Sequence, residues 1–191
     1  MMGSILGQDA MDSDTLRLGS AAPQFSLPGV DGRMWSMADL AEKSVVVVIF
    51  SCNHCPYVQA YEDRMVAIQR DYAERGVQLV AINSNDADDY PEDSFVKMKK
   101  RAQDKGFNFL YLRDDSQAVA RAYGATHTPQ LFVFDRDRWL RYTGKIDDNW
   151  QQPQSVRRRF LREALDGLLA GTQPAEPMTH AIGCTIKWKR S

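Results

Sequence analysis

Val45-Val46-Val47-Val48-Ile49-Phe50 runs without a break into Ser51-Cys52-Asn53-His54-Cys55-Pro56, and this stretch decides the fold. A continuous apolar run, mostly β-branched, suits a strand covered on both faces, as at the centre of a parallel sheet. Beyond it, Val58, Tyr61, Met65, Ile68 and Tyr72 recur at three- and four-residue steps along one helix face, and Gly76 ends that pattern. Val77 to Ile82 then reads as a second strand. The spacing predicts a β-α-β unit with a right-handed crossover.

Working outward, Phe25 to Trp35 holds two short apolar runs around Asp31-Gly32 and reads as a hairpin, and Ser36 is placed to cap a short helix through Leu40. Downstream, a helix is expected over Pro91 to Lys105 and a strand over Phe107 to Leu112. A short helix capped by Ser116 should follow, through Tyr123. Leu131 to Phe134 and Trp139 to Thr143 flank a polar turn and read as an antiparallel pair. Pro153 should open the last helix, with Val156, Phe160, Leu161, Ala164, Leu165, Leu168 and Leu169 as its apolar stripe and Arg157-Arg158-Arg159 on its solvated face. The chain thus divides into a polar leader (1–19), one domain (20–171) and a tail (172–191). In the tail, Ile186 and Trp188 alternate with Thr185 and Lys187, as suits an extended segment packed on the domain by one face.

Composition narrows the class. The chain has 191 residues, of which 43% are apolar and 26% charged, which is ordinary for a single buried core. Its 24 basic and 25 acidic side chains leave a net charge of −1, so neither nucleic acid nor an anionic membrane is an expected partner. No stretch has the roughly 18 apolar residues that span a bilayer. Asp9, Asp12 and Asp14 interrupt the place where a secretory signal would need an apolar core, so the expected location is cytoplasmic. Three cysteines, Cys52, Cys55 and Cys184, are too few for a disulfide scaffold; in a reducing compartment a close pair points to redox chemistry or a metal.

Cys52 and Cys55 stand at the junction of the buried strand and the helix. There Cys52 is expected near unpaired N–H groups and the positive end of the helix dipole, which favour the thiolate and can lower a cysteine pKa into the range of about 3.5 to 7.5. Cys55, one turn on, is within reach to resolve a mixed disulfide on Cys52, and His54 between them can stabilise the Cys52 charge. Pro56 fixes the backbone just past the pair. Zinc is the competing chemistry, with His54, His127 or Cys184 completing four ligands, but no second closely spaced pair is present and no metal is expected. Cys184 itself reads either as a small residue anchoring the tail or as an extra resolving thiol beside Cys52.

The strand, Cys-x-x-Cys, long helix, β-α-β unit, Thr128-Pro129 before a hairpin, and terminal helix together resemble the thioredoxin-like superfamily. The N-terminal hairpin and the segment between Asn83 and Phe107 resemble its redoxin branch, related to alkyl hydroperoxide reductases and thiol-specific antioxidants. The tail Gly183-Cys184-Thr185-Ile186-Lys187-Trp188-Lys189 resembles a peroxiredoxin-like subgroup. The resemblance implies an α/β fold with a central mixed sheet flanked by helices, an N-terminal hairpin and a C-terminal tail. It implies Cys52 as the attacking cysteine, Cys55 as the resolving one, and a cis Pro129 facing their redox disulfide. The Thr128 backbone would pair with a substrate chain as an added strand. His54 occupies a position like that in oxidising relatives such as protein disulfide isomerases.

Three positions depart from the family. Ser51 stands where thioredoxins carry Trp, and Val45 to Val48 contain no buried acid, leaving Asp86 or a water as the proton shuttle. The peroxiredoxin pattern Pro-x-x-x-Thr/Ser-x-x-Cys is missing around both Cys52 and Cys55. The expected function is therefore thiol–disulfide exchange at Cys52 and Cys55. It would need no cofactor and would act on protein or small-molecule disulfides and thiols, with a thiol electron donor. The alternative is a peroxiredoxin-like thiol peroxidase using Cys52.

Overall fold

The computed structural model describes residues 14–191. Strand β1 (Ser26–Pro28) pairs antiparallel with β2 (Met34–Ser36). A 3-10 turn over Met37–Leu40 follows, with the Asp39 carboxylate accepting from the Ser36 N–H at 2.8 Å. Strand β3 (Val45–Ser51) leads into helix α1 (Pro56–Tyr72) and strand β4 (Val77–Asn83). Helix α2 (Phe95–Lys105), strand β5 (Leu110–Arg113) and helix α3 (Ala118–Tyr123) come next. The short strand β6 (His127–Thr128) and the longer β7 (Gln130–Phe134) flank Pro129, and the Thr128–Pro129 bond is cis. Strand β8 (Leu140–Gly144), helix α4 (Phe160–Leu169) and the tail strand β9 (Cys184–Thr185) complete the order.

The main sheet runs β5-β4-β3-β7-β8 and is mixed, with β4 parallel to β3 and to β5, and β7 antiparallel to β3 and to β8. This is the thioredoxin-like α/β fold. Strand β3 lies at its centre with every residue buried. Alternation along β3 divides the core in two, as the period of a strand requires. Val45, Val47 and Ile49 face one way, onto Tyr61, Met65 and Ile68 of α1 and Phe160, Leu161 and Leu165 of α4. Val46, Val48 and Phe50 face the other way, onto Phe25 and Leu27 of the hairpin, Val119 and Tyr123 of α3, and Ile186 of the tail. Coverage on both sides is the reason the run has no polar residue.

Several boundaries differ from the sequence expectation. Pro91 to Lys105 is not one helix: a 3-10 turn spans Pro91–Asp93, and Ser94 breaks it with an extended backbone (φ −61°, ψ 154°) before α2 begins. Ser94 Oγ accepts from the Lys97 N–H at 3.3 Å, so it is an N-cap rather than a helical residue. Ser94→Ala is expected to lower stability by about 1 kcal/mol, read as a shift in the denaturant midpoint. Strand β5 starts at Leu110 rather than Phe107. Helix α3 starts at Ala118, because Gln117 takes a left-handed backbone (φ 64°). The last helix starts at Phe160, not Pro153, whose turn ends at Ser155. The loop at Asp148 causes this: its carboxylate accepts from the Arg157 N–H (2.9 Å) and its own N–H donates to the Arg158 carbonyl (3.1 Å), drawing both off a helical path. Arg157-Arg158-Arg159 is thus no helix face, and Arg158 pairs with Glu163 and Glu176.

Residues 1–13 of the expected leader lie outside the described residues. From Asp14 onward the chain is held to the domain, with Leu16 N–H donating to the Tyr123 carbonyl (3.0 Å) and Gly19 N–H to that of Leu140 (2.8 Å).

Candidate active site

The chain leaves the sheet at Ser51 and enters α1 at Pro56, so Cys52 to Cys55 form the turn between strand and helix. Cys55 is the residue before the helix, with an extended backbone (φ −76°, ψ 124°), and Pro56 occupies the first helical position, where its missing N–H costs nothing. Asn53 holds the turn in place. Its N–H donates to Asp93 Oδ1 (2.7 Å), its side-chain amide to the Glu92 carbonyl (2.8 Å), and its Oδ1 accepts from the Tyr111 hydroxyl (2.7 Å).

Both cysteines are free thiols and both are buried, Cys52 at 3% exposure and Cys55 at 0%. Thr128 faces the pair from β6. Its hydroxyl is 3.5 Å from Cys52 Sγ and its carbonyl 3.4 Å from Cys55 Sγ. Cys184, directly opposite Thr128 in the β6–β9 ladder, packs against the same group together with Tyr57 and Val58. The structure thus brings together Cys52, Cys55, Thr128, Pro129, His54 and Cys184. His127 belongs to β6, but its Nδ1 is engaged with the Thr126 hydroxyl at 2.8 Å.

Hydrogen bonding biases the two thiols in opposite directions. A hydrogen bond from the Cys52 thiol holds Cys55 below the free-thiol range against its own burial, helped by the Cys184 thiol and the N–H groups of Val58 and Cys184. The same hydrogen bond, then burial and the Asp93 carboxylate, hold Cys52 above that range, with the Thr128 hydroxyl opposing. The Thr128 carbonyl near Cys55 favours a thiol there. The donors on Cys55 outnumber it, and we assign the charge of the reduced pair to Cys55. These causes run against the expectation that Cys52 is the depressed thiol. Cys55, not Cys52, is the residue at the helix start, and His54 turns Nδ1 to within 2.6 Å of Asp93 Oδ2, a close contact without hydrogen-bond alignment. Thiolate absorbance at neutral pH should therefore vanish in Cys55→Ser. In Cys52→Ser the transition should move up toward free cysteine, because the largest stabilising donor is gone; ultraviolet titration of the reduced proteins reads both.

Asp93 is the site residue that sequence reasoning missed. It is fully buried, accepts from Asn53 N–H, Asn83 Nδ2 (3.1 Å) and Asn85 Nδ2 (3.0 Å), and lies beside both His54 and Cys52. It is this carboxylate, not Asp86, that stands at the pair. Asp86 lies under the tail, its N–H donating to the Lys187 carbonyl (2.8 Å) and its carboxylate accepting from the Asp88 N–H (3.1 Å). Cys52, His54 and Asp93 present ligand atoms within 4.8 Å of one another, a spacing a cation could use. The Asp93 oxygens, however, are already taken up by three nitrogen donors, an arrangement that satisfies a buried carboxylate without a metal.

Residues 18–143 match the AhpC/TSA family model, which covers well over half of the chain. The chain belongs to the AhpC/TSA family. Among curated proteins, this AhpC/TSA chain is 24% identical over 128 residues to the thiol-disulfide oxidoreductase ResA of Bacillus thuringiensis (strain Al Hakam), covering 66% of this chain and 68% of that protein. Two solved structures match nearly throughout. A conserved protein from Geobacillus kaustophilus is 44% identical with a TM-score of 0.87, covering 92% of this chain and 94% of its own. A hypothetical protein from Sinorhizobium meliloti 1021 is 36% identical with a TM-score of 0.88, covering 93% and 97%. The AhpC/TSA match ends at Thr143, within β8, so helix α4 and the tail lie beyond it.

Proposed function

We propose that Cys52 and Cys55 are the working pair of a thiol–disulfide oxidoreductase, cycling between dithiol and disulfide as they exchange with disulfides of partner proteins or small molecules. One observation carries the reading: two free, buried thiols pack together at a strand–helix junction, with Thr128 set against both sulfurs. The ResA relatives, named as thiol-disulfide oxidoreductases, support it.

In this cycle the Cys52 sulfur attacks one sulfur of the partner disulfide once its proton has passed to Cys55 or to solvent. A Cys52–partner bond forms, the partner's S–S bond breaks, and the leaving sulfur takes up a proton. Cys55, deprotonated in turn, then attacks Cys52 Sγ, forming the Cys52–Cys55 disulfide and releasing the second partner thiol. Two electrons pass from the pair to the partner, and a thiol donor returns them by the reverse steps. The aromatic surface that thioredoxins build with a Trp before the first cysteine is supplied here by Tyr57 and Trp150, whose ring centroids lie 4.3 Å apart.

The test is a count of free thiols after limiting oxidised glutathione or limiting hydrogen peroxide. The expected result is fast loss of the Cys52 and Cys55 thiols to glutathione disulfide, with slow loss to peroxide. Faster oxidation by peroxide, through a sulfenic acid at Cys52, would replace this reading with a thiol peroxidase.

A further inference from the structure

The buried pair has a third thiol beside it, and that thiol is the most exposed of the three. Cys52 and Cys55 are closed off at 3% and 0% exposure, whereas Cys184 is half-buried. Its placement is set by backbone: β9 pairs antiparallel with β6, with Thr128 opposite Cys184 and His127 opposite Thr185. Gly183 lets the tail come this close, since a Cβ there would fall 2.0 Å from the Thr128 carbonyl oxygen. Beyond Cys184 the tail is pinned. Ile186 is buried in the core and its N–H donates to the Thr126 carbonyl (2.9 Å), Lys187 N–H donates to Asn85 Oδ1 (2.9 Å), and Lys189 N–H to Gln117 Oε1 (3.0 Å). The tail therefore fills the β6 edge beside the pair and delivers a sulfur to Cys55 rather than to Cys52.

We propose that Cys184 is a third redox thiol, which exchanges with the Cys52–Cys55 disulfide and carries electrons between the buried pair and thiols outside. The inference rests on the Cys52–Cys55 pair being redox-active as proposed above. Starting from the Cys52–Cys55 disulfide, Cys184 loses its proton and its thiolate attacks Cys55 Sγ. The Cys55–Cys184 bond forms, the Cys52–Cys55 bond breaks, and its electron pair stays on Cys52, which takes up a proton. No oxidant or reductant is consumed, because one disulfide replaces another. An external thiol then attacks Cys184 Sγ and expels Cys55, whose stabilised thiolate makes it a fast leaving group. A second external thiol frees Cys184 as external disulfide is formed, and the pair has gained two electrons. In the reduced protein Cys184 is held protonated, its pKa pushed up to about 11 by burial and by its hydrogen bond to Cys55. Oxidation of the pair removes the second of these causes.

The test uses the full chain, equilibrated in glutathione buffers of graded potential, quenched in acid and mapped for disulfides by mass spectrometry. Wild type should show both the Cys52–Cys55 and the Cys55–Cys184 isomers. Cys52→Ser should form Cys55–Cys184 alone. Gly183→Val, which keeps all three thiols but drives the tail off the Thr128 carbonyl, should form Cys52–Cys55 and lose the other isomer. Reduction of the oxidised pair by glutathione should slow by roughly tenfold or more in Cys184→Ser, since the remaining disulfide is shielded. If wild type and Cys52→Ser both lack Cys55–Cys184 while wild type forms Cys52–Cys55, or if Cys184→Ser is reduced as fast as wild type, this inference falls and the proposed pair stands. If wild type forms no Cys52–Cys55 disulfide, both fall.

Discussion

Cys52→Ser is expected to reduce disulfide exchange to the slow residual rate of Cys184, which is held protonated, and Cys55→Ser to stop the reaction one step later with the partner still attached. The asymmetry follows from position. Cys52 stands at the exit of β3, with the Thr128 hydroxyl at 3.5 Å, and retains slight exposure; Cys55 is fully enclosed at the start of α1. A serine hydroxyl at position 52 has no accessible thiolate-like form, so no first bond is made at that position. With Cys55→Ser the first bond forms and no thiol is set to displace it, since Cys184 is directed to position 55. The matching experiment incubates each variant with a labelled model disulfide and separates the products under non-reducing conditions. Accumulation of a stable adduct on Cys52→Ser, at the rate seen for wild type, would assign the attack to Cys55.

The second large effect belongs to Asp93. Asp93→Leu would leave the Asn53 N–H and the amides of Asn83 and Asn85 buried without their acceptor. Each unsatisfied group costs about 1 to 3 kcal/mol, and losses within one network do not add fully, so a destabilisation of roughly 3 to 5 kcal/mol is expected. Asp93→Asn keeps the shape and one oxygen and should cost less, about 1 to 3 kcal/mol. It isolates the electrostatic effect. Asp93 is one of the causes that hold Cys52 above the free-thiol range, and removing that like charge lowers the Cys52 pKa. Alkylation of Cys52 near neutral pH should then rise by up to roughly tenfold, since each unit multiplies the thiolate fraction by about ten and lower basicity returns part of the gain. An unchanged alkylation profile in a folded Asp93→Asn protein would show that the carboxylate does not act on Cys52.

The parts of the fold that could be read from sequence are those whose cause is local or periodic. Val45 to Phe50 reads as a central strand because nothing else accounts for an uninterrupted apolar run ahead of a helical stripe. The hairpin around Asp31-Gly32 and the antiparallel pair β7–β8 were legible for similar reasons. Errors arose where a long-range contact overrides a local pattern. Pro153 looks like a helix start, but the Asp148 loop captures the backbone of Arg157 and Arg158 first. Asp93 looks like a helix-start acid next to Ser94, and no spacing rule marks it as turned inward; only the partners Asn53, Asn83 and Asn85, each distant or differently placed in the chain, reveal its role. The closeness of Cys52 and Cys55 was legible, but the bias of the proton between them was not. That depends on which thiol donates to the other, and on a carboxylate supplied from a separate segment.

The pairing of β9 with β6 has a consequence for how the molecule is made. The five-stranded sheet is complete once Gly144 has emerged, whereas the strand that covers Thr128 arrives only with Cys184 and Thr185. Chains grow from the N-terminus at about 5 to 20 residues per second, so each nascent molecule passes through an interval in which the edge at His127–Thr128 is bare and two thiols lie open beside it. A bare edge is a template for strands of other chains. Preparations shortened before Gly183 are thus expected to yield disulfide-linked multimers that the chain carrying its tail avoids by closing on itself.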